Sequence, residues 1–548
     1  MFILRRRFLF LAVACSALLV ACAQAPVATT KPKLIVFIAI DGLPMRQVLN
    51  ERGHFAPDGF RRFLDQGAWF SNAHYNHGYT VTAAGHATML TGAPPWKSGV
   101  IGNEWRDPVS FDRVYNTGDT RYHYIGETTA KLAGTSPRNL KAETIGDVLR
   151  RVQPESKVIG ISGKDRGAIL PAGHAGTAYM YMGATGHFAS STYYMSQHPQ
   201  WVSAFNGSGA AEKFFGQTWN SLLPDSAYAG AAPFDQAWQS DAGNGKSLPA
   251  VVTGGLTAPG PKFYAALLPS PFADALTLDF ARAAIAGEQL GADEKTDILS
   301  ISLSSHDYIN HSFGPESRMS QDHLLQLDLL LQAFFHDLDA KIGRGNYLLM
   351  LTADHGFADT PEWSRLKGRD AGRLPPAALG QAMEEALQAR FGPGPWLRGS
   401  SAMGVLFDEE KIRSRSLDRD AVYAVAQAAA KQVPGIAAAF TRAELASGDN
   451  TQPWLVAMRR SWDPERAAPL QFVVKPYWLL SSRAQGSSHG TPYEYDTHVP
   501  LLGWGPAWLG RGEVKESVGV VDIAPTLAHI LGLPVPAQSE GKTLPLPR

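Results

Sequence analysis

Carboxylates and imidazoles recur along this chain where apolar runs give way to polar ones. Asp41 follows LIVFIAI, Asp354 and His355 close LLMLTADHG, Asp307 and His311 lie in SHDYINH, and His489 lies in SSHG. Between them comes Thr82, in Thr82-Ala83-Ala84-Gly85-His86. Taken singly, an Asp-Gly or an Asp-His-Gly is more often a turn or helix start than a ligand. Their conjunction is the signal. Asp307 and His311 are four residues apart, so on a helix both side chains leave one face and can reach one ion. Asp354 and His355 are adjacent at a strand end, where a turn lets them converge. Carboxylate and imidazole ligands without thiolate suit zinc with open positions, with manganese or cobalt as substitutes. Paired sites about 3.5–4 Å apart suit in-line phosphoryl displacement, so the pattern predicts a hydrolase with two zinc ions per chain.

Such ligands need a frame. Three apolar runs ending in carboxylates are the pattern of an α/β sheet that delivers ligands from the C-terminal ends of its strands. Strand-like runs at Leu34–Ile40, Val158–Ser162, Ile298–Leu303 and Tyr347–Thr352, with helical stretches between, predict a mostly parallel central sheet wrapped by helices. An aromatic-rich insertion at about 171–290 contains AYMYMGATGHFASSTYY, whose alternation about Gly183–Gly186 predicts a hairpin. Helical stretches such as PAALGQAMEEALQARFG predict a second insertion, a cap-like lobe at about 360–471. Both inserts return the chain to the core before the next ligand. In SQDHLLQLDLLLQAFFHDLDAKIG, Leu327, Leu331, Leu338 and Ile342 make the core side of a helix, and its Asp and His residues read as the wet face.

These residues resemble the alkaline phosphatase superfamily and, within it, the phosphate-irrepressible, PafA-type alkaline phosphatases. The resemblance runs from about Leu34 to VVDIAPTLAHILGLP, so it implies one alkaline-phosphatase-like domain over 34–548, a three-layer sandwich with inserted lobes. In that family a Thr in a Thr-Ala-Pro-Gly-His motif is the nucleophile; it falls on Thr82, with Ala84 where Pro is usual. An Asn in Gly-Asn-(Asp/Glu)-Trp falls on Asn103 in GNEW, and Lys-Asp-Arg-Gly-Ala falls on Lys164 and Arg166. The resemblance implies that Asp41, Thr82, Asp354 and His355 hold one zinc, and Asp307, His311 and His489 the other.

The chemistry also stands on physical grounds. A threonine hydroxyl is a weak nucleophile until something lowers its pKa, and a zinc ion on Oγ does that. The GHATML run reads as a helix start, which sets backbone N–H groups and the positive end of the dipole beside an incoming phosphate. A second zinc would stabilise the departing oxygen and activate the water that hydrolyses a phosphothreonine, giving net retention. A phosphomonoester carries one more anionic oxygen than a diester and needs cations aimed at it. Lys164 and Arg166 follow the apolar run KVIGIS and meet that need, each contact being worth about 3 kcal/mol in the transition state. Diesterases and nucleotide pyrophosphatases of the superfamily resemble the chain at the zinc ligands but lack this pair. They are the alternative reading.

Sixteen histidines cannot all be ligands. His498, in YDTHVPLL, competes with His489 but takes a structural role, because the superfamily's last ligand is the His of a His-Gly pair. His86 is expected to brace the helix start, and His306 to point away from the ion. A sulfatase would need Cys or Ser in a Cys-x-Pro-x-Arg setting, absent at Thr82-Ala83-Ala84. A phosphoethanolamine transferase resembles a membrane protein with several spans ahead of its soluble domain. A non-enzymatic zinc lipoprotein would keep the ligands and lose Thr82, Lys164 or Arg166, and all three are here.

The N-terminus, MFILRRRFLFLAVACSALLVACAQ, has the basic, apolar and small-residue segments of a bacterial export signal over 1–22, with a tether over 23–33. Leu19-Val20-Ala21-Cys22 resembles a lipobox that would lipidate Cys22, while Ala21-Cys22-Ala23 fits cleavage after Ala23. A periplasmic, outer-membrane-tethered or secreted protein is implied. Cys15 and Cys22 are the only cysteines, so the mature chain forms no internal disulfide. With 45% apolar residues there is chain for a large core. A net charge of zero argues against nucleic acid as a general partner and leaves small phosphate monoesters, met locally by zinc and two cations.

Overall fold

Runs of aliphatic residues that are buried on both faces belong in the middle of a parallel sheet, and four of them stand there. In the computed structural model, which describes residues 31–547, nine strands form one sheet. They are β1 (Leu34–Ile40), β2 (Ala68–Phe70), β3 (Val158–Ser162), β4 (Thr177–Tyr181), β5 (Phe188–Ala189), β6 (Asp297–Leu303), β7 (Tyr347–Thr352), β8 (Leu501–Trp504) and β9 (Gly512–Val514). Their order is β9-β2-β8-β7-β1-β6-β3-β4-β5. The five strands from β7 to β4 run parallel. β8 and β5 are antiparallel to their inner neighbours. The export signal, Cys22 and most of the tether lie outside the described residues.

Register decides where the ligands emerge. β1 pairs with β6 from Leu34 opposite Asp297 to Ile40 opposite Leu303, and with β7 from Leu34 opposite Tyr347 to Ala39 opposite Thr352. The three central strands therefore end together, and the segments carrying Asp41, Asp307 and Asp354 leave one edge of the sheet.

The helices that matter for the site are α1 (Thr82–Thr91), α2 (Asp165–Ala172), α3 (Pro271–Gly287), α4 (Ser305–Phe313) and α5 (Arg318–Lys341). α2 lies tight on the sheet: a Cβ on Gly160 would fall 2.2 Å from the Ala168 carbonyl oxygen. Side chains alternate across a strand, so Ile159 and Ile161 face the other way. There they share a core with Leu276, Phe280 and Ala284 of α3. The sheet is thus covered on both faces.

The segment between α2 and α3 adds β4 and β5 to the main sheet, and these two form the hairpin about Gly183–Gly186. Residues from about 372 to 480 make a second layer with its own core. Strands Leu397–Ser401, Gly404–Phe407, Leu470–Val474 and Ile436–Thr441 form a four-stranded antiparallel sheet. Trp396, Phe407, Tyr423 and Phe472 pack beneath it.

One expectation is corrected on α5. Leu327, Leu331 and Leu338 are buried as the periodicity requires and Ile342 is half-buried, but Asp322, His323 and Asp328 are buried too. The N-terminal half of the helix is covered on its polar side as well, while His336 and Asp337 stay exposed as the pattern requires. Asp322 accepts from Trp219 Nε1 at 2.6 Å and Leu222 N at 2.7 Å. His323 pairs with Asp274 at 3.1 Å, and Asp328 accepts from Ala56 N at 2.6 Å and Phe60 N at 2.7 Å. Buried polar groups hold their place by such bonds.

Candidate metal and phosphate site

The expected ligands meet at the C-terminal edge of the sheet. Asp41 follows β1, Asp354 and His355 follow β7, and Asp307 and His311 project from α4, one turn apart. His489 arrives on the loop before Leu501 and stacks on His355, ring centroids 3.4 Å apart. Asp41, Asp354 and His355 are fully buried. Thr82 opens α1, with Oγ1 3.5 Å from His355 Nε2. Gly85 explains the close approach of that helix: a Cβ there would lie 2.1 Å from the Asp354 carbonyl oxygen.

Each imidazole is oriented in the same way. Nδ1 of His311 donates to Ser487 O (2.9 Å), Nδ1 of His355 to Gly356 O (2.8 Å), and Nδ1 of His489 to Thr80 O (2.8 Å). Backbone carbonyls thereby fix the tautomer that leaves Nε2 as a free lone pair, the arrangement of metal-binding histidines. The carboxylates also keep oxygens free of hydrogen bonds. Both oxygens of Asp41, Oδ1 of Asp307 and Oδ2 of Asp354 are buried without a hydrogen-bond partner. Such oxygens are costly unless a cation takes them. The donor set fits a hard-to-borderline divalent ion.

Among the described residues two trios each bring their possible ligand atoms within 4.8 Å of one another: Asp307, His311 and His489, and Asp41, Asp307 and His355. The first is the set expected from sequence. The second shows Asp307 standing between the two groups, with Oδ1 3.4 Å from His311 Nε2, 3.7 Å from His489 Nε2 and 4.0 Å from His355 Nε2. Asp354 joins through Oδ2, 3.5 Å from His355 Nε2.

The electrostatics follow from crowding three carboxyls out of water. Burial, with Asp307 and Asp354 alongside, pushes Asp41 up to about 7. Burial also raises Asp307, but His311, Lys164, His489 and His355 outweigh it and hold that carboxyl well below its ordinary value. Burial lowers His355 to about 4 and carries His489 far down, aided by His355 and His311, so both rings are neutral. Lys164 Nζ sits 2.5 Å from Asp307 Oδ2 and 2.7 Å from Asp41 Oδ2, the latter an ion pair off the hydrogen-bonding direction. Burial opposes its charge, yet Asp307 and Asp41 raise it above the ordinary lysine.

Asn103 touches the first turn of the Thr82 helix, and Arg166 lies on α2, which packs against that helix. Asn103 Oδ1 accepts the Ala83 N–H at 2.9 Å, which leaves Nδ2 without a protein acceptor among the described residues. Arg166 is the second residue of α2, and its guanidinium meets the Tyr115 hydroxyl at 3.3 Å. His86 bonds Thr82 O (2.9 Å) and Ser302 Oγ (2.8 Å). It braces the helix start and also touches Asp354 Oδ2 at 3.3 Å. His306 turns to His323 and Gln47, and His498 bonds Ser71 O and stacks on His74. Neither joins the ligands.

Sequence reading missed the residues that hold the loops. Asp496 Oδ2 accepts from Gly490 N (3.0 Å) and Thr491 N (2.9 Å) beside His489, while its carbonyl accepts Gly356 N (2.7 Å) beside His355. Asn310 Nδ2 donates to Gly42 O at 3.0 Å, tying α4 to the Asp41 turn. No spacing rule marks either residue, since the Asp496–Gly356 and Asn310–Gly42 ties join segments far apart in sequence.

Comparison with known proteins places the chain in a family. The family model described as type I phosphodiesterase / nucleotide pyrophosphatase matches residues 35–498. Alkaline phosphatase PafA of Elizabethkingia meningoseptica is 32% identical over 530 residues, covering 95% of each chain. A Myroides odoratus protein named calcium-transporting ATPase is 33% identical, covering 92% of this chain and 93% of its own. Alkaline phosphatase PhoV of Synechococcus elongatus is 32% identical, covering 95% and 93%. The crystal structure of wild-type alkaline phosphatase PafA superposes with a TM-score of 0.87 at 31% identity, over 94% of this chain and 98% of that one. The chain therefore belongs to the type I phosphodiesterase / nucleotide pyrophosphatase family of the alkaline phosphatase superfamily, and it is an enzyme of alkaline phosphatase type.

Proposed function

We propose that the enzyme hydrolyses phosphate monoesters through a covalent phosphothreonine on Thr82, with two zinc ions, and releases inorganic phosphate. The observation that carries this reading is the convergence of a helix-start hydroxyl, the Lys164 cation and buried carboxylate oxygens without a hydrogen-bond partner. Asp41, Thr82, Asp354 and His355 would hold one ion, and Asp307, His311 and His489 the other. Bound there, the ions supply Lewis acidity, which makes a hydroxyl nucleophilic and steadies a departing oxygen.

The chain's own residues do the rest. Thr82 Oγ attacks phosphorus in line as the alcohol leaves, and water then cleaves the new O–P bond, so two inversions give retention. Arg166, Lys164 and the Asn103 amino group offer donors to the phosphoryl oxygens, where charge-assisted bonds are strongest. Recognition aimed at the phosphoryl group supports a broad range of small monoesters. The residues of 1–22 support export to the periplasm or beyond, with a lipid tether at Cys22 if the lipobox is used.

The test is kcat/KM for an aryl phosphate monoester against the matching diester, with Thr82→Ala beside the parent. A strong monoester preference and a Thr82→Ala variant that keeps metal but loses turnover by roughly 10³-fold or more fit the proposal. A ratio near one, or favouring the diester, would move the assignment to phosphodiesterase or nucleotide pyrophosphatase. Parent-like turnover in Thr82→Ala would remove Thr82 from the reaction.

A further inference from the structure

The protein meets the Arg166 guanidinium sparingly. Among the described residues its one hydrogen-bond partner is the Tyr115 hydroxyl, which accepts from Nη1 at 3.3 Å. Nε is buried and unpartnered, and Asp165 Oδ1 stands 4.0 Å from Nη1. The hydroxyl in turn donates to Asp165 Oδ1 at 2.7 Å. Asp165 is anchored by Gly134 N–H on its other oxygen at 3.0 Å. The phenol hydrogen is thus committed to Asp165, and the oxygen lone pairs are what Arg166 meets. Burial, then the Asp165 charge, raise this phenol above its ordinary value, so it stays an O–H under alkaline conditions.

Tyr115 also belongs to the element that presents Asn103. Strand Arg113–Tyr115 pairs antiparallel with Glu104–Arg106, with Tyr115 opposite Glu104. Asn116, the next residue, donates from its backbone N–H (3.3 Å) and from Nδ2 (2.6 Å) to the Asn103 carbonyl. One short hairpin carries Asn103 at its start and grips Arg166 from its end.

We propose that Tyr115 is the positioning residue for phosphoryl recognition, holding the Arg166 guanidinium by one edge and locking its placement to that of Asn103. This rests on the reading of Arg166 as a phosphoryl clamp. The guanidinium keeps its remaining Nη hydrogens for the phosphoryl oxygens, and a fixed donor fork loses less entropy when it binds. A monoester presents one more anionic oxygen than a diester, so Tyr115 acts on the choice between esters and not on turnover in general.

A double-mutant cycle tests this, using the metal-loaded exported chain, Tyr115→Phe, Arg166→Ala and the pair, with kcat/KM for an aryl monoester and its diester and the Tm of each variant. Tyr115→Phe is expected to lose about 10- to 30-fold on the monoester and under about threefold on the diester. Its Tm should stay within about 2 °C of the parent, and it should add nothing to the loss in Arg166→Ala. A Tyr115→Phe loss that persists in full on the Arg166→Ala background overturns the proposal, as do equal losses on the two esters. Parent-like activity in Tyr115→Phe beside an impaired Arg166→Ala overturns it too. An Arg166→Ala variant without a monoester-selective loss removes the clamp reading itself.

Discussion

Ala83 N–H donates to Asn103 Oδ1 at 2.9 Å, joining the first turn of the Thr82 helix to the hairpin of residues 104–115. That bond spends the amide's acceptor on the protein and leaves its donor end for substrate. Asn103→Ala should lower monoester kcat/KM by roughly 10²-fold, the usual effect of losing one preorganised donor. Asn103→Asp should lose more, because it keeps the acceptor for Ala83 and sets a negative charge against the phosphate. Steady-state kinetics on both variants checks the order.

Gly85 is where helix α1 touches the Asp354 backbone. An added methyl would meet the Asp354 carbonyl oxygen at 2.1 Å and its carbonyl carbon at 2.7 Å, and neither can move without moving a candidate ligand. Gly85→Ala is expected to weaken metal binding by about 10- to 100-fold, the range seen when the support of a ligand is disturbed. Competition with a chromogenic chelator measures it without reference to turnover.

Asp41, Asp307 and Asp354 repel one another in a buried pocket. Stripping metal with a chelator should abolish turnover and lower Tm, and zinc should restore both. At a free ion concentration about 1,000 times Kd the linkage amounts to about 4 kcal/mol, so thermal scans across a zinc series would show a rising Tm. A Tm that ignores zinc would contradict the site.

Asp328 gives a pH dependence away from the ligands. Burial pushes its carboxyl up from 3.8 to about 6 against the pull of the Phe60 and Ala56 N–H donors. Between these values the fold keeps a proton that the unfolded chain has lost. Stability is therefore highest at the acid end, falls as pH rises through that window and levels off above it. On metal-stripped protein the slope integrates to at most about 3 kcal/mol. Urea denaturation against pH should show it, and Asp328→Asn should make the slope shallower by that share, leaving what the raised carboxyls of Asp41, Asp496 and Glu316 contribute.

The central strands and their ligands were legible in the sequence because each is a local signal. LIVFIAI, VIGIS and LLMLT are apolar runs of strand length, and each becomes a strand of the main sheet. His306 and His86 could be set aside from their neighbours, and His498 by resemblance to the superfamily, and each has a structural partner. Local signals failed where burial came from elsewhere. Asp322 and His323 sit on what looked like a wet helix face, which the Trp219–Tyr228 segment and Asp274 cover.

The sequence by itself pointed to a hydrolase and to an α/β frame through residue type and spacing, and its resemblance to the superfamily named the candidate residues. Tertiary structure alone decided that Asp307 stands between both ligand groups, that Asp496 ties the His355 and His489 turns together, and that Tyr115 holds Arg166. Each depends on contacts between segments tens to hundreds of residues apart. Their geometry comes from strand register and helix packing, which no local pattern encodes.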